Sequence, residues 1–290
     1  MFRLVAASEA IREAVPAGLV PFFLAVTALG GSKFLMVGLS VTYWNAESRR
    51  RELVTLVGVA FVAVSATLAL KYWFGLPRPP AGVRPTDLDP SPVGFPSGHA
   101  VAATTVYGGL LLAFDRYREP VWVGAAGAMI ALVGLSRVAL GVHFLGDVVA
   151  GIAVGLAMLG LLAVALDRPS GPTVVFATAV VCALPAAVLA TETGDAALAL
   201  GGSVGGTVAA RWRTRADRFR SLPERAGVSV AGVAFVVAVI AVVETLEGVL
   251  AAAALFATAA VVYAVLVAGI VAVPSLVGRV DAFGTANAAE

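Results

Sequence analysis

Three short stretches hold most of the side chains in this chain that can do chemistry. KYWFGLPRP, residues 71–79, brings Lys71 and Arg78 seven positions apart. PSGH, residues 96–99, ends in one of two histidines, and SRVALGVHFLGD, residues 136–147, holds the other together with Arg137 and Asp147. His143 and Asp147 are four apart, so at a helix start they share one face, one turn apart. A carboxylate so placed accepts from one ring nitrogen, fixes the tautomer and leaves the other nitrogen for attack or proton transfer. His99 follows Pro-Ser-Gly at the expected start of another helix. Free N–H groups and the helix dipole favour an anion there, and Gly98 lets the backbone come close to it. Lys71, Arg78 and Arg137 add cationic donors, and each guanidinium can grip two phosphate oxygens. Two imidazoles in an anion cradle suit phosphoryl transfer, where positioning and charge stabilisation do most of the work.

The elements that must position these groups are membrane helices. Of 290 residues, 60% are hydrophobic and 13% charged, and the mean hydropathy is +0.94, which reads as a polytopic membrane protein. Apolar runs that could serve as spans lie at about 53–74, 99–114, 121–140, 144–166, 173–190, 196–210, 228–243 and 249–273, several of them short of the roughly 20 residues a bilayer core needs. Segment 16–45 is interrupted by TALGGSK and reads as one long helix with an interfacial start, a helical hairpin being the alternative. The N-terminus, with Glu9 and Glu13 beside its arginines, reads as an interfacial amphipathic segment rather than a signal peptide.

Arginine distribution sets the orientation. Arg49, Arg50 and Arg51, then Arg116 and Arg118, then Arg168, then the six arginines of RWRTRADRFRSLPER (211–225) all thread to one side, the expected cytoplasmic one. The loops carrying Lys71, Arg78, His99, Arg137 and His143 thread to the other, which makes the expected site extracytoplasmic. A net charge of +2 gives no reason to invoke nucleic acid, and Cys182 alone builds neither a disulfide framework nor a cysteine metal site.

The ordered pattern K-x6-R-P, P-S-G-H and S-R-x5-H-x3-D resembles in full the three-part signature of the type 2 phosphatidic acid phosphatase family. That family shares its fold and site with vanadium-dependent haloperoxidases. The resemblance covers about residues 20–166. It implies that His143 is the nucleophile forming a phosphohistidine, that Asp147 orients it, and that His99 protonates the leaving oxygen. It further implies that Lys71, Arg78 and Arg137, with Ser97 and the Gly98 N–H, hold the phosphate oxygens, with Ser136 in a supporting role. Pro79 and Pro96 shape the loops. The resemblance implies no metal and no cofactor.

The expected architecture is therefore all-α: a polytopic transmembrane bundle with a catalytic core in residues 1–166, a four-segment C-terminal helical extension of unassigned role in 173–273, and a tail from 274 to 290. The expected function is hydrolysis of a lipid phosphate or pyrophosphate in the cell membrane, with isoprenoid pyrophosphate, phosphatidate and phosphatidylglycerol phosphate as substrate types. Membrane lipids are the expected partners, and the sequence names no protein partner. Three rivals use the same residues: a phosphotransferase with another acceptor, a vanadate-binding haloperoxidase, and a protein that binds or translocates lipid phosphates. Simpler readings also exist. Lys71 and Lys33 can snorkel. Arg84, Asp87 and Asp89 suit a solvated loop or a lid. The 211–225 loop suits topology and anionic lipid heads. Glu192, Asp195, Glu244 and Glu247 suit solvated turns, and Gly201, Gly202, Gly205 and Gly206 allow close helix packing.

Overall fold

The computed structural model describes residues 2–84, 91–190, 194–211, 222–247 and 249–286. Asp87, Asp89, Glu192 and most of the arginine-rich loop lie outside these residues. In chain order the helices are α1 (Val5–Glu13), α2 (Val20–Ala28), α3 (Ser32–Asn45), α4 (Arg50–Phe74), α5 (Gly98–Ala113), α6 (Pro120–Ala139), α7 (Leu145–Leu166), α8 (Gly171–Leu189), α9 (Gly194–Arg211), α10 (Leu222–Glu247) and α11 (Ala252–Ala286). Six of them, α4, α6, α7, α8, α10 and α11, are long and apolar enough to cross a bilayer. Helix satisfies every backbone group within the segment, which a lipid environment demands.

α4 is the axis of the bundle. In its most apolar stretch 67% of residues are buried, against 22–33% for the other five spans. It packs against α5 and α7 on one side and α8 and α9 on the other. Lipid tails are as apolar as leucine, so close packing has to hold such helices together, and glycine permits it at two places. On α7, a Cβ at Gly151 would meet the Ser97 carbonyl oxygen at 2.6 Å, and one at Gly155 would strike Thr104, so the two glycines let α7 lie against α5. On α9, Gly201 and Gly205 lie against the backbone of Ala260 and Ala264 in α11, while Gly202 and Gly206 receive the rings of Phe61 and Phe176.

The helices of the motif region fall within two or three residues of the apolar runs. Elsewhere the structure corrects the reading. Segment 16–45 is not one helix: α2 stops at Ala28 and α3 starts at Ser32. The break falls at Leu29, Gly30 and Gly31, and the Leu29 carbonyl left over at the end of α2 accepts a hydrogen bond from Tyr107 Oη of α5 at 2.8 Å. Helix α10 begins at Leu222, inside the expected loop, and α11 runs on to Ala286. At the end of the bundle where α4 begins, Arg49 pairs with Asp115 at 2.6 Å and Arg51 donates to the Leu166 carbonyl at 3.2 Å. Three of the arginine-bearing loops thus meet at one end, opposite the three chemical stretches.

Candidate active site

Each stretch sits where a helix begins or ends at that far end. α4 finishes one turn after Lys71, because Gly75 adopts a left-handed conformation (φ 58°) and its N–H closes on the Lys71 carbonyl at 2.9 Å. The chain then folds back on itself: Gly94 N–H donates to the Leu76 carbonyl at 2.7 Å and Arg78 N–H to that of Pro92 at 3.3 Å. This turn delivers Arg78 to the interior, where it is buried. Ser97 and Gly98 open α5, and the Ser97 N–H donates to the Asp147 carbonyl at 3.0 Å, which fixes α5 to the start of α7. Ser136 and Arg137 close α6, and the Arg137 carbonyl takes N–H bonds from Val142 and His143 at 3.1 and 3.2 Å. That turn places His143 beneath Arg78.

The geometry of His143 decides what the site can do. Arg78 Nη1 lies 2.9 Å from His143 Nε2 and also donates to the Val142 carbonyl at 2.9 Å, while Arg78 Nε donates to that of Ser91 at 2.8 Å. A guanidinium has only donors, so Nε2 presents its lone pair and the ring proton sits on Nδ1. Nδ1 faces Asp147 Oδ2 at 3.5 Å. This is longer than a well-formed hydrogen bond. Both side chains are almost fully buried. The ring is therefore held with Nε2 directed at a guanidinium and Nδ1 at a buried carboxylate.

Lys71, Arg78, Gly98, His99 and His143 line a common cavity of about 210 Å³. His99 is half-buried in it, close against Gly30 and Gly31, where α2 and α3 separate: a Cβ on Gly30 would stand 3.4 Å from the ring. Ser97 Oγ is fully buried with no hydrogen-bond partner among the described residues. Arg137 is 1% exposed and its Nη1 donates to Thr27 Oγ1 of α2 at 2.7 Å, which orients the guanidinium. Ser136 donates to the Val133 carbonyl at 2.6 Å and belongs to the helix end. Lys71 faces the cavity and so is not a lysine spread on the bilayer surface.

One residue of the site carries no signal in any of the three stretches. Arg3, ahead of α1, grips Asp147 with both arms of its fork, Nε to Oδ1 and Nη2 to Oδ2, each at 2.8 Å. Its Nη1 donates to the Pro77 carbonyl at 2.7 Å, and its guanidinium lies 4.5 Å above the Phe144 ring. With the Phe144 N–H on Oδ2 at 3.0 Å, the buried carboxylate receives three charge-assisted bonds. Arg3 thereby ties the 71–79 loop to the start of α7. Gly146 makes this approach possible, since a Cβ there would strike the backbone of Phe2 and Arg3. α1, the expected interfacial segment, packs across the ends of α6 and α7, with Ser8 Oγ accepting the Leu145 N–H at 2.8 Å. Arg84 is held by its own loop, on the Pro79 carbonyl.

The family model described as PAP2 superfamily matches residues 52–171, which contain all three stretches. Phosphatidylglycerophosphatase B of Bacillus subtilis (strain 168) is 31% identical over 157 residues, covering 47% of this chain and 70% of the relative. The chain belongs to the PAP2 superfamily. This PAP2 superfamily member is also similar to sphingosine-1-phosphate phosphatase 2 of Mus musculus, 34% identical over 141 residues, which cover 46% of this chain. It spans 39% of that relative's length. Among solved structures, the PAP2-type phosphatidylglycerolphosphate phosphatase of Bacillus subtilis aligns with a TM-score of 0.48 at 28% identity, covering 57% of this chain and 84% of the other. The family match ends at the first residue of α8, so α9, α10 and α11 lie beyond it.

Proposed function

We propose that this chain is an integral-membrane lipid phosphate phosphatase that works through a phosphohistidine at the extracytoplasmic face. The observation that carries the reading is the His143 ring, fixed with its Nε2 lone pair on Arg78 at 2.9 Å inside a cavity that is cationic at one end and apolar beyond. The names of both curated relatives describe phosphatases of lipid phosphates, and the clustering of arginine loops at the opposite end supports an extracytoplasmic site.

In the first step a phosphate oxygen takes over the Arg78 N–H and Nε2 attacks phosphorus in line. The P–N bond forms as the bond to the lipid oxygen breaks, and His99 gives that oxygen its proton. Charge growing on the phosphoryl oxygens is met by Lys71, Arg78, Arg137, Ser97 Oγ and the Gly98 N–H. As the ring becomes cationic, Asp147 stabilises it through Nδ1–H. In the second step His99 takes a proton from water, the water oxygen bonds to phosphorus, the P–N bond breaks and inorganic phosphate leaves.

The test is phosphate release in detergent from a polyprenyl pyrophosphate, a phosphatidate and a phosphatidylglycerol phosphate, with and without EDTA, for wild type and His143→Ala. Release that survives chelation and is lost in the variant, together with an acid-labile label on wild-type protein from a radioactive substrate, supports the reading. No release from any of the three by folded wild-type protein sinks it.

A further inference from the structure

The cavity that holds the catalytic groups does not end beneath them. It follows one face of α4 from Lys71 through Leu68, Val64, Phe61 and Val57 to Val54, positions three or four apart that form a single stripe on a helix. At about 1.5 Å per residue this is a length of roughly 25 Å, most of the ~30 Å hydrocarbon core of a bilayer. Its far end is formed by Tyr43 of α3 with Ile270 and Val271 of α11. Tyr43 Oη donates to the Val271 carbonyl at 3.0 Å and Trp44 Nε1 to that of Ile270 at 3.0 Å, so α3 and α11 are pinned together where the cavity stops. Leu35 and Leu39 of α3 and Val101 and Val106 of α5 line one side, and Leu198 and Asp195 of α9 and Val267 of α11 close the other. α9 and α11 belong to the helices beyond the family match.

We propose that this cavity is a channel for one hydrocarbon chain of the lipid substrate, and that α9 and α11 close one side of it and, with Tyr43 of α3, form its floor. The proposal rests on the phosphatase reading for the identity of the headgroup. Two features single out this occupant. The channel is continuous with the cationic site, so a molecule lying in it presents its phosphate to His143. Below Lys71 and Thr67 the wall is chiefly aliphatic and aromatic. Tyr43, Ile270 and Val271 thus determine how long a chain fits. The glycine face of α9 against α11 keeps this wall in place.

Two measurements test the channel. The first is kcat/KM for octyl and octadecyl phosphate in Val271→Phe, which fills the floor, beside Val265→Phe, the same kind of change on the exposed face of α11. The expected result is about a tenfold fall for octadecyl phosphate in Val271→Phe, with octyl phosphate and Val265→Phe unchanged. The second needs no turnover. In protein carrying Trp73→Phe, Trp122→Phe and Trp212→Phe, Trp44 is the single tryptophan and stands at the floor. Octadecyl phosphate brominated at its chain end should quench it, chain-end-brominated octyl phosphate should not, and Val271→Phe should remove the quenching. Quenching without phosphate release from any lipid phosphate would leave the channel standing and overturn the phosphatase. Phosphate release with no quenching and no chain-length response would do the reverse.

Discussion

The two halves of this bundle lean on opposite sides of α4, and they are built by different means. In the motif half, α5, α6 and α7 bring ionisable groups to one end, and nearly every one is buried and held. Asp147 takes Arg3 and a backbone N–H, Arg78 takes three acceptors, and Arg137 takes Thr27. In the C-terminal half, α8 to α11 bring glycines, alanines and valines into contact, and the described interior polar groups there mostly bond within their own helix, as Ser203 does to Ala199. The first half is specified by donors and acceptors, the second by shape. Charges in a low-dielectric interior tolerate no loss of a partner, whereas an apolar interface resists added volume more than changed chemistry.

The sharpest way to break this contrast is at His143, the proposed nucleophile. His143→Ala should reduce phosphate release by about 10³-fold or more, while Trp44 is still quenched by the brominated octadecyl phosphate, because the channel half is untouched. Next in size is the clamp. Arg3→Ala leaves a buried carboxylate short of its cation, and we expect kcat to fall about tenfold with KM little changed, since Arg3 acts through Asp147. A lower melting temperature should accompany it, reflecting up to ~3 kcal/mol for a broken buried pair. Arg3→Lys should recover little, because a lysine cannot grip two carboxylate oxygens at once.

Matched glycine substitutions then compare the halves directly. Gly151→Ala pushes α7 from the Ser97 carbonyl and should lower turnover of octyl and octadecyl phosphate alike. Gly205→Ala pushes α9 from α11 and should lower turnover of octadecyl phosphate more than of octyl. Both should cost about 1–3 kcal/mol of stability by overpacking, read as a fall in melting temperature. An equal chain-length response in the two would erase the distinction. The smallest effect belongs to Lys33, which pairs with Glu244 between α3 and α10 on the exposed surface. Lys33→Ala should change stability by less than about 1 kcal/mol and leave kinetics unaltered.

What could be read beforehand differs between the halves for a physical reason. Lys71, Arg78, Ser97, Gly98, His99, Arg137, His143 and Asp147 stand out because such groups are costly at membrane depth and because their internal spacing is fixed by helix ends. The structure brings all of them to one end of the bundle. Arg3 gave no such signal: it lies 144 residues from its partner and looks like any interfacial arginine near an N-terminus. The break between α2 and α3 was visible as TALGGSK, yet continuous hydropathy on both sides favoured a single helix. Only the Tyr107 contact and the room that His99 needs show why the chain stops there.

The sequence by itself determined the helical bundle, the nature of the site and its place at one end, because hydropathy and the chemical types of a few side chains act locally. It also marked α9 as a close-packing helix through its four glycines. Tertiary structure alone decided which nitrogen of His143 faces Arg78, which residue holds Asp147, and that residues of α9 and α11 border the cavity that Lys71 and His143 line. Those depend on distances between elements far apart in the chain, and in a membrane such distances are set by how helix surfaces fit, which no local pattern records.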